Sequence, residues 1–289
     1  MWNGHWTADD FDFASDVQDF LVKMTDQERE MVIRVLSAIG QIETGVKLYW
    51  SKLGDNLPQP SIIDLGLVMA GIEVIHNDAY EKLLDILNIH SVFQENLKLD
   101  IIGNRVKYLR KYSHKYHSDS KKQFVYSLIL FTLFVENVSL FSQFYVISWF
   151  KRFKNYLTDT AQQVRYTRSE ETIHALSGIM IINTIRQQHP ELFDDDLIER
   201  IVHEAQSAFE AESKIIDWML NGYEEDSLNP TILKEYTKDR INESLVLIGF
   251  PKVFEIDETL MDKTLWAEEQ TIGNIMTDFF DGRPVEYKK

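Results

Sequence analysis

The sequence predicts an all-α fold, and three observations lead to this class. The 289 residues include only 6 prolines and 12 glycines, which is few helix breakers for this length. Long stretches are rich in residues of high helix propensity, such as Leu, Glu, Lys and Gln. No segment of appreciable length alternates apolar and polar side chains as a half-buried strand does. With 44% hydrophobic residues the chain can fill the core of one large domain or of two ordinary ones. Of these we expect one domain over residues 1–289.

The elements follow from local patterns along the chain. Residues 1–20 are aromatic and acidic without a clear period, which predicts an irregular arm packed on the body of the fold. Thr25 and Glu28 form a capping-box pattern that marks the start of the first long helix. Glycine, proline and asparagine separate the later helices. The predicted long helices are about Thr25–Leu53, Ser61–Leu87, Phe124–Phe150, Gln162–Gln188, Asp194–Leu220 and Thr231–Ile248.

The remaining segments are predicted to be less regular. We expect a connection at His90–Leu97, a helix of mixed charge after it, and a break at Leu157–Ala161. The basic run Lys111–Lys122 is typical of a solvated loop or helix end. From Lys252 onward the pattern is acidic and irregular.

Charge and composition exclude several classes of function. The formal net charge is −16, whereas binding to nucleic-acid phosphates needs a basic surface. The chain has no cysteine, so it can form neither a disulfide nor a thiolate metal site. The first twenty residues lack the apolar core of a signal peptide. We therefore expect a cytoplasmic protein that does not bind nucleic acid.

Only Phe124–Phe150 is long and apolar enough to suggest a membrane span. Its single charge, Glu136, lies near the middle, where a carboxylate is costly in lipid. No second span exists to partner it. A helix buried in a protein core is the better interpretation, and we expect no membrane association.

The first candidate functional residues lie in the stretch Leu67–Tyr80, where Glu73 and His76 form an E-x-x-H pair in an apolar run. Residues three apart on a helix lie side by side. An unpaired carboxylate and imidazole are expensive to bury, and a metal ion would satisfy both. Tyr80 lies one turn further on the same face, either as a core tyrosine or as a one-electron donor beside a metal.

The second half of the chain repeats this chemistry. Glu43 precedes the Glu73-x-x-His76 pair by one helix, and Glu136 likewise precedes a second pair, Glu171-x-x-His174. Four carboxylates and two histidines on four helices are the ligand set of ferritin-like dimetal carboxylate proteins. Such oxygen and nitrogen ligands suit iron or manganese. The alternative is chance charge on helix surfaces, which the apolar neighbours of Glu73 and Glu136 disfavour.

Two other acidic residues could be mistaken for ligands. Glu199 and His203 share a helix face but lie among charges, so we interpret them as a solvated surface. Glu170 lies four residues before His174. The i, i+3 match to the first half favours Glu171 as the ligand, which leaves Glu170 beside the ligands or at the surface.

These residues resemble a known family. The stretch EVIHNDAY from Glu73 to Tyr80, the FVEN around Glu136 and SEETIH from Ser169 to His174 are similar to the small, radical-generating subunit of class I ribonucleotide reductase. The resemblance covers essentially the whole chain, including the N-terminal GHWTADD. It implies a ferritin-like helical bundle with a dimetal carboxylate site in its core.

The resemblance also implies roles for individual residues. Two metal ions per chain, iron and/or manganese, would be bound by Glu43, Glu73, His76, Glu136, Glu171 and His174. Tyr80 matches the tyrosine that carries the radical in most members, although in some relatives a manganese-containing pair holds the oxidising equivalent itself. Trp6 matches the tryptophan that starts electron transfer to the large subunit. Tyr287 matches the C-terminal tyrosine that passes the radical across the subunit interface.

Some positions depart from the family pattern. Many relatives have Asp where Glu43 stands. Glu170 occupies the place of an aspartate that hydrogen-bonds a metal-bound histidine, which leaves that link open. The chain ends two residues after Tyr287, so we expect the family's C-terminal docking tail to be absent or trimmed.

The expected function is that of a homodimeric oxidoreductase subunit. Its dimetal site would store an oxidising equivalent and pass it to a separate large subunit, where ribonucleotides are reduced to deoxyribonucleotides for DNA replication. One alternative is another ferritin-like dimetal oxidase, hydroxylase or desaturase, which would not need Trp6 and Tyr287. Another is a helical protein without enzymatic activity that stores metal or serves a structural role.

Overall fold

The fold of the chain is described by a computed structural model that covers residues 6–46 and 48–267, with the backbone only for 43–46. Within these residues the fold is helical and contains no strand, which confirms the all-α class. The β-type pairing in the described ranges is limited to an isolated bridge between Glu225 and Leu228. The α-helices are α1 Ala14–Gln18, α2 Asp26–Val46, α3 Pro60–Ile86, α4 His90–Asn96, α5 Asp100–Leu109, α6 Ser120–Ile129, α7 Phe141–Trp149, α8 Thr158–Gln188, α9 Asp195–Leu220, α10 Pro230–Leu247 and α11 Glu258–Met261.

Five segments form the central bundle, and four of them carry the residues singled out in the sequence. Helix α2 packs on α3, α3 packs on α8, and α8 packs on α7 and on the π-helical segment Leu130–Glu136. Helices α5, α9 and α10 cover other sides of this bundle. The two E-x-x-H pairs lie on α3 and α8. The bundle therefore directs both pairs toward one buried centre.

The start of α2 follows the predicted capping box. The backbone N–H of Thr25 donates to Glu28 Oε2 at 2.9 Å, and the backbone N–H of Glu28 donates to Thr25 Oγ1 at 3.2 Å. The end of this helix was predicted wrongly. The α-helix stops at Val46, and a 3-10 helix covers Trp50–Asp55. Packing of this segment on α3 overrides the local helix propensity.

The apolar segment around Glu136 is not the single α-helix that the sequence predicts. Helix α6 passes into the π-helical segment Leu130–Glu136, a turn follows, and α7 begins only at Phe141. The turn is held from α10, because Arg240 donates to the backbone and side-chain oxygens of Asn137 at 3.0 and 2.7 Å. Glu136 is therefore the last residue of a π-helical segment, a conformation that is frequent at functional sites.

Three smaller predictions also need correction. His90–Asn96 is a helix rather than a connection, and its buried Phe93 packs close to Gly40. Helix α8 begins at Thr158 directly after Leu157, which adopts left-handed backbone angles, so the break is shorter than expected. The N-terminal arm contains α1 and the π-helical segment Asp19–Lys23 and is more regular than its sequence suggests.

The apolar segment is buried in the protein. Ser120–Lys154 is long and apolar enough to cross a membrane, but 83% of its apolar window is buried inside the fold. Burial of this extent is typical of a helix in a protein core.

A buried ion pair ties α5 to α9. Arg105 Nε lies 2.9 Å from Glu212 Oε1, and both side chains are almost fully buried. Arg105 Nη1 also donates to the carbonyl of Ala38 on α2 at 2.8 Å. Removing one partner from such a pair costs roughly 3–5 kcal/mol, because the other charge is left uncompensated. Arg105 therefore holds three helices in register.

Candidate metal centre

Four of the six predicted ligands meet in the core. One ligand atom from each of Glu73, Glu136, Glu171 and His174 lies within 4.8 Å of the others, and all four residues are buried. His76 joins them, because its Nδ1 lies 3.0 Å from Glu171 Oε1 and 3.6 Å from Glu73 Oε2. We call Glu73, His76, Glu136, Glu171 and His174 the core cluster. Their role as metal ligands stays a prediction.

The cluster forms because α3 and α8 cross with their E-x-x-H pairs facing each other. His174 Nδ1 lies 2.9 Å from Glu73 Oε1, 3.4 Å from Glu136 Oε2 and 3.5 Å from Glu171 Oε2. Gly178, one turn beyond His174, permits the close approach, because a Cβ at that position would collide with Thr132 of the π-helical segment. Each histidine thus presents Nδ1 to the carboxylates of the opposite helix.

The electrostatics of the cluster reflect several like charges in an apolar core. Burial, together with the neighbouring Glu171 and Glu73 carboxylates, raises the pKa of Glu136 well above its usual range. Burial opposes ionisation of Glu171, but hydrogen bonds with Glu136, His174 and His76 lower its pKa. Burial alone would lower the pKa of His174, yet hydrogen bonds with Glu136, Glu171 and Glu73 raise it strongly. Hydrogen bonds between the carboxylates and His174 therefore accompany each of these pKa shifts.

Trp6, Glu170 and His76 form a continuous hydrogen-bonded chain. Trp6 Nε1 donates to Glu170 Oε2 at 2.9 Å, and the same oxygen lies 2.8 Å from His76 Nε2. The Trp6 and His76 rings are also nearly parallel, with centroids 6.0 Å apart. Because a carboxylate only accepts, Nε2 of His76 is the donor in this contact, while Nδ1 faces the cluster at 3.0 Å from Glu171 Oε1. The longer glutamate therefore makes the link that the sequence left open.

The N-terminal arm that carries Trp6 is clamped to two helices. Asp16 Oδ2 accepts hydrogen bonds from the backbone N–H and hydroxyl of Thr160, at 2.6 and 2.7 Å, and so caps the start of α8. Lys82 on α3 donates to the carbonyl of Ala8 at 2.8 Å. These contacts bury Trp6 to 5% exposure against the histidine side of the cluster.

Trp50 approaches the cluster from the other side, and the sequence analysis missed it. Its Nε1 donates to Glu136 Oε1 at 2.8 Å, and its ring centroid lies 6.3 Å from that of His174. No local pattern in the sequence marks it, because its partner Glu136 lies 86 residues further along the chain. The sequence analysis placed Trp50 inside the helix predicted to end near Leu53 and assigned it no role.

The other predicted residues have different outcomes. Tyr80 is buried on α3, one turn beyond His76 and on the predicted face. Glu43 lies on α2, but its side chain is outside the described residues, as is all of Tyr287. Glu199 and His203 are exposed on α9, as expected for a solvated surface.

The donor set fits a metal pair. Outside the cluster, neither oxygen of Glu73 and neither ring nitrogen of His174 has a hydrogen-bond partner among the described residues. Buried polar atoms without partners are rare in native proteins and call for an explanation such as a bound ion. Carboxylate oxygens and imidazole nitrogens suit iron and manganese. The cluster is therefore able to bind a metal pair.

Comparison with known proteins identifies the family of the chain. Residues 1–260 match the family model described as "Ribonucleotide reductase, small chain". The ribonucleoside-diphosphate reductase small subunit of Dictyostelium discoideum is 22% identical over 99% of this chain and 80% of its own length.

Solved structures share the fold. The ribonucleotide reductase R2 subunit from Clostridium botulinum has a TM-score of 0.77 and 18% identity, over 92% of this chain and 84% of its own. An R2-like ligand-binding oxidase with a reconstituted Mn/Fe cofactor has a TM-score of 0.69 and 18% identity, over 86% of this chain and 90% of its own. At these identities the structures establish the ferritin-like bundle.

The family match spans far more than half of the sequence and includes both E-x-x-H helices and the arm that carries Trp6. The chain belongs to the ribonucleotide reductase small-chain family, which is a family of oxidoreductases.

Proposed function

We propose that the core cluster, with Glu43, binds two metal ions, iron and/or manganese, and serves as the oxidant store of a ribonucleoside-diphosphate reductase. The observation that carries this proposal is the convergence of three buried carboxylates and two histidines within a single site. The bound ions would supply the redox chemistry: reaction with dioxygen or a reduced oxygen species and retention of one oxidising equivalent. The chain's own residues would hold the ions, orient them and keep the site dry.

Residues around the cluster support these tasks. Glu170 would orient the His76 ring, as an outer carboxylate does for a metal-binding histidine. The Trp6 indole on the same oxygen provides a continuous contact from the cluster to the N-terminal arm. We propose that Trp6 carries the electron exchanged with a large subunit, and that Tyr287 continues this path.

The rival function is that of a ferritin-like oxidase acting on its own small or lipid substrate. The R2-like oxidase shares the fold, and both proteins would need a buried metal pair. The hydrogen-bonded chain Trp6–Glu170–His76 favours the reductase, because an oxidase with an internal substrate has no use for an electron path through the arm.

We also propose that the chain forms a homodimer and acts with a separate large subunit in the cytoplasm, as one domain over residues 1–289. An exposed apolar face supports the dimer. Leu67 and Val74 on α3 are 56% and 48% exposed, and Ile173, Leu176 and Met180 on the adjacent α8 are 49–58% exposed. Apolar patches of this kind mark protein interfaces.

Metal binding at neutral pH is expected to release protons. The raised pKa values of Glu136 and His174 keep both groups protonated in the metal-free protein, and ligands must lose their protons to bind a metal ion. Acid therefore competes with the metal, so affinity should fall as the pH is lowered. Calorimetric titration with Mn²⁺ in two buffers of different ionisation enthalpy measures the release.

The matched control for this titration is Glu199→Gln combined with His203→Asn on the exposed face of α9. This variant should release the same number of protons as the unmodified protein. Binding without proton release would contradict the proposed cluster.

Substitution of Trp6 tests the electron path. Trp6→Phe removes the indole N–H from Glu170 but not the ligands, so nucleotide reduction with the large subunit should be lost while metal content and oxygen consumption persist. Trp149→Phe is the control, because Trp149 is equally buried but donates to Ser227 Oγ at 2.9 Å. Undiminished nucleotide reduction in Trp6→Phe would refute the path.

The role of Tyr80 is tested by electron paramagnetic resonance of the metal-loaded protein. We expect a tyrosyl signal that disappears in Tyr80→Phe with the metal content unchanged, and that survives in Tyr108→Phe, a buried tyrosine on α5. A multiline manganese signal that is unaffected by Tyr80→Phe would show instead that the metal pair holds the oxidising equivalent.

A further inference from the structure

We infer that Trp50 is a positioning residue of the metal centre, which fixes one oxygen of Glu136 and thereby sets how this carboxylate meets a metal ion. The inference rests on the proposed metal pair and adds a residue that the E-x-x-H pattern does not contain. It depends on three observations: a direct hydrogen bond, a rigid setting for the indole, and a contrast with Glu73.

The two oxygens of Glu136 make different contacts. Trp50 Nε1 donates to Oε1 at 2.8 Å, whereas Oε2 faces the cluster at 3.4 Å from His174 Nδ1. Trp50 is 0% and Glu136 2% exposed, so water does not compete for this bond. When Glu136 loses its proton to bind a metal ion, this hydrogen bond would become charge-assisted and stronger than a neutral one. Rotation of the carboxylate would break it.

The indole itself has little freedom to follow such a rotation. Its ring meets Phe131 edge to face with centroids 5.3 Å apart, and Tyr49 packs at 5.4 Å on the same indole. The backbone of Trp50 lies so close to α3 that a Cβ on Gly66 would collide with its carbonyl oxygen. The position of the N–H is therefore fixed by the fold before any metal binds.

Glu73 shows what a carboxylate of this cluster looks like without such a partner. Both of its oxygens lack hydrogen bonds to described residues outside the cluster, so no group outside the cluster fixes its orientation. Glu136, in contrast, is hydrogen-bonded by Trp50 from outside the cluster, as His76 is by Glu170. Two tryptophans thus act on opposite sides of the site, Trp6 through Glu170 and Trp50 on Glu136 directly. Groups that orient metal ligands in this way typically change metal affinity about 10- to 100-fold.

The test is a metal-affinity measurement on the full chain. Metal-free protein is titrated with Mn²⁺ against a fluorescent chelator, which gives the stoichiometry and the dissociation constant of each ion. Trp50→Phe keeps an aromatic ring but loses the donor, and we expect the more weakly held ion to bind about 10- to 100-fold less tightly. Trp149→Phe, which also loses one indole hydrogen bond, should bind both ions as the unmodified protein does.

A second variant guards against a folding defect in Trp50→Phe. Trp50→3-benzothienylalanine keeps the bicyclic shape and replaces the N–H with sulfur, and it should show the same loss of affinity. The unfolding midpoints of the metal-free proteins verify that each variant is folded. Unchanged affinity in this second variant would overturn the inference, whereas failure of the unmodified protein to bind two ions would overturn the proposed metal pair itself.

Discussion

The burial of several carboxylates at one point of an apolar core is the constraint on which the rest of this structure depends. Taking a carboxylate out of water costs several kcal/mol even after relaxation, and neighbouring carboxylates increase this cost. His76 and His174 are basic groups that lie directly against these carboxylates. Without bound metal, the raised pKa values of Glu136 and His174 keep both groups protonated, which offsets part of this cost. A pair of divalent ions would offset it by balancing the negative charges.

The surrounding fold serves to hold these groups in place. The π-helical segment ends at Glu136 and is held there by Arg240 of α10. The N-terminal arm caps α8 through Asp16 and brings Trp6 onto Glu170. The buried Arg105–Glu212 pair fixes α5 and α9 behind the bundle. Each of these contacts joins segments that are distant in sequence, so the geometry of the site belongs to the whole bundle rather than to one motif.

This distribution explains what could be predicted from the sequence. The two E-x-x-H pairs were recognisable because residues three apart always share a helix face, and a charged residue in an apolar run is conspicuous. Trp50 was not recognisable, because its partner Glu136 lies 86 residues away and a tertiary contact redirects its segment into a 3-10 helix. The turn after Glu136 was missed for a similar reason. Asn137 is held in this turn by Arg240 of α10, and the local sequence contains no glycine or proline that would predict a turn.

The most direct test of the central claim is anomalous diffraction from crystals of the protein loaded with Mn²⁺ and Fe²⁺. Data at the manganese and iron absorption edges locate and identify each ion independently of activity. The account predicts two peaks roughly 3.5–4 Å apart, the usual spacing of two-metal sites, surrounded by Glu73, His76, Glu136, Glu171 and His174. Peaks confined to surface acids such as Glu199, with none in the core cluster, would contradict it.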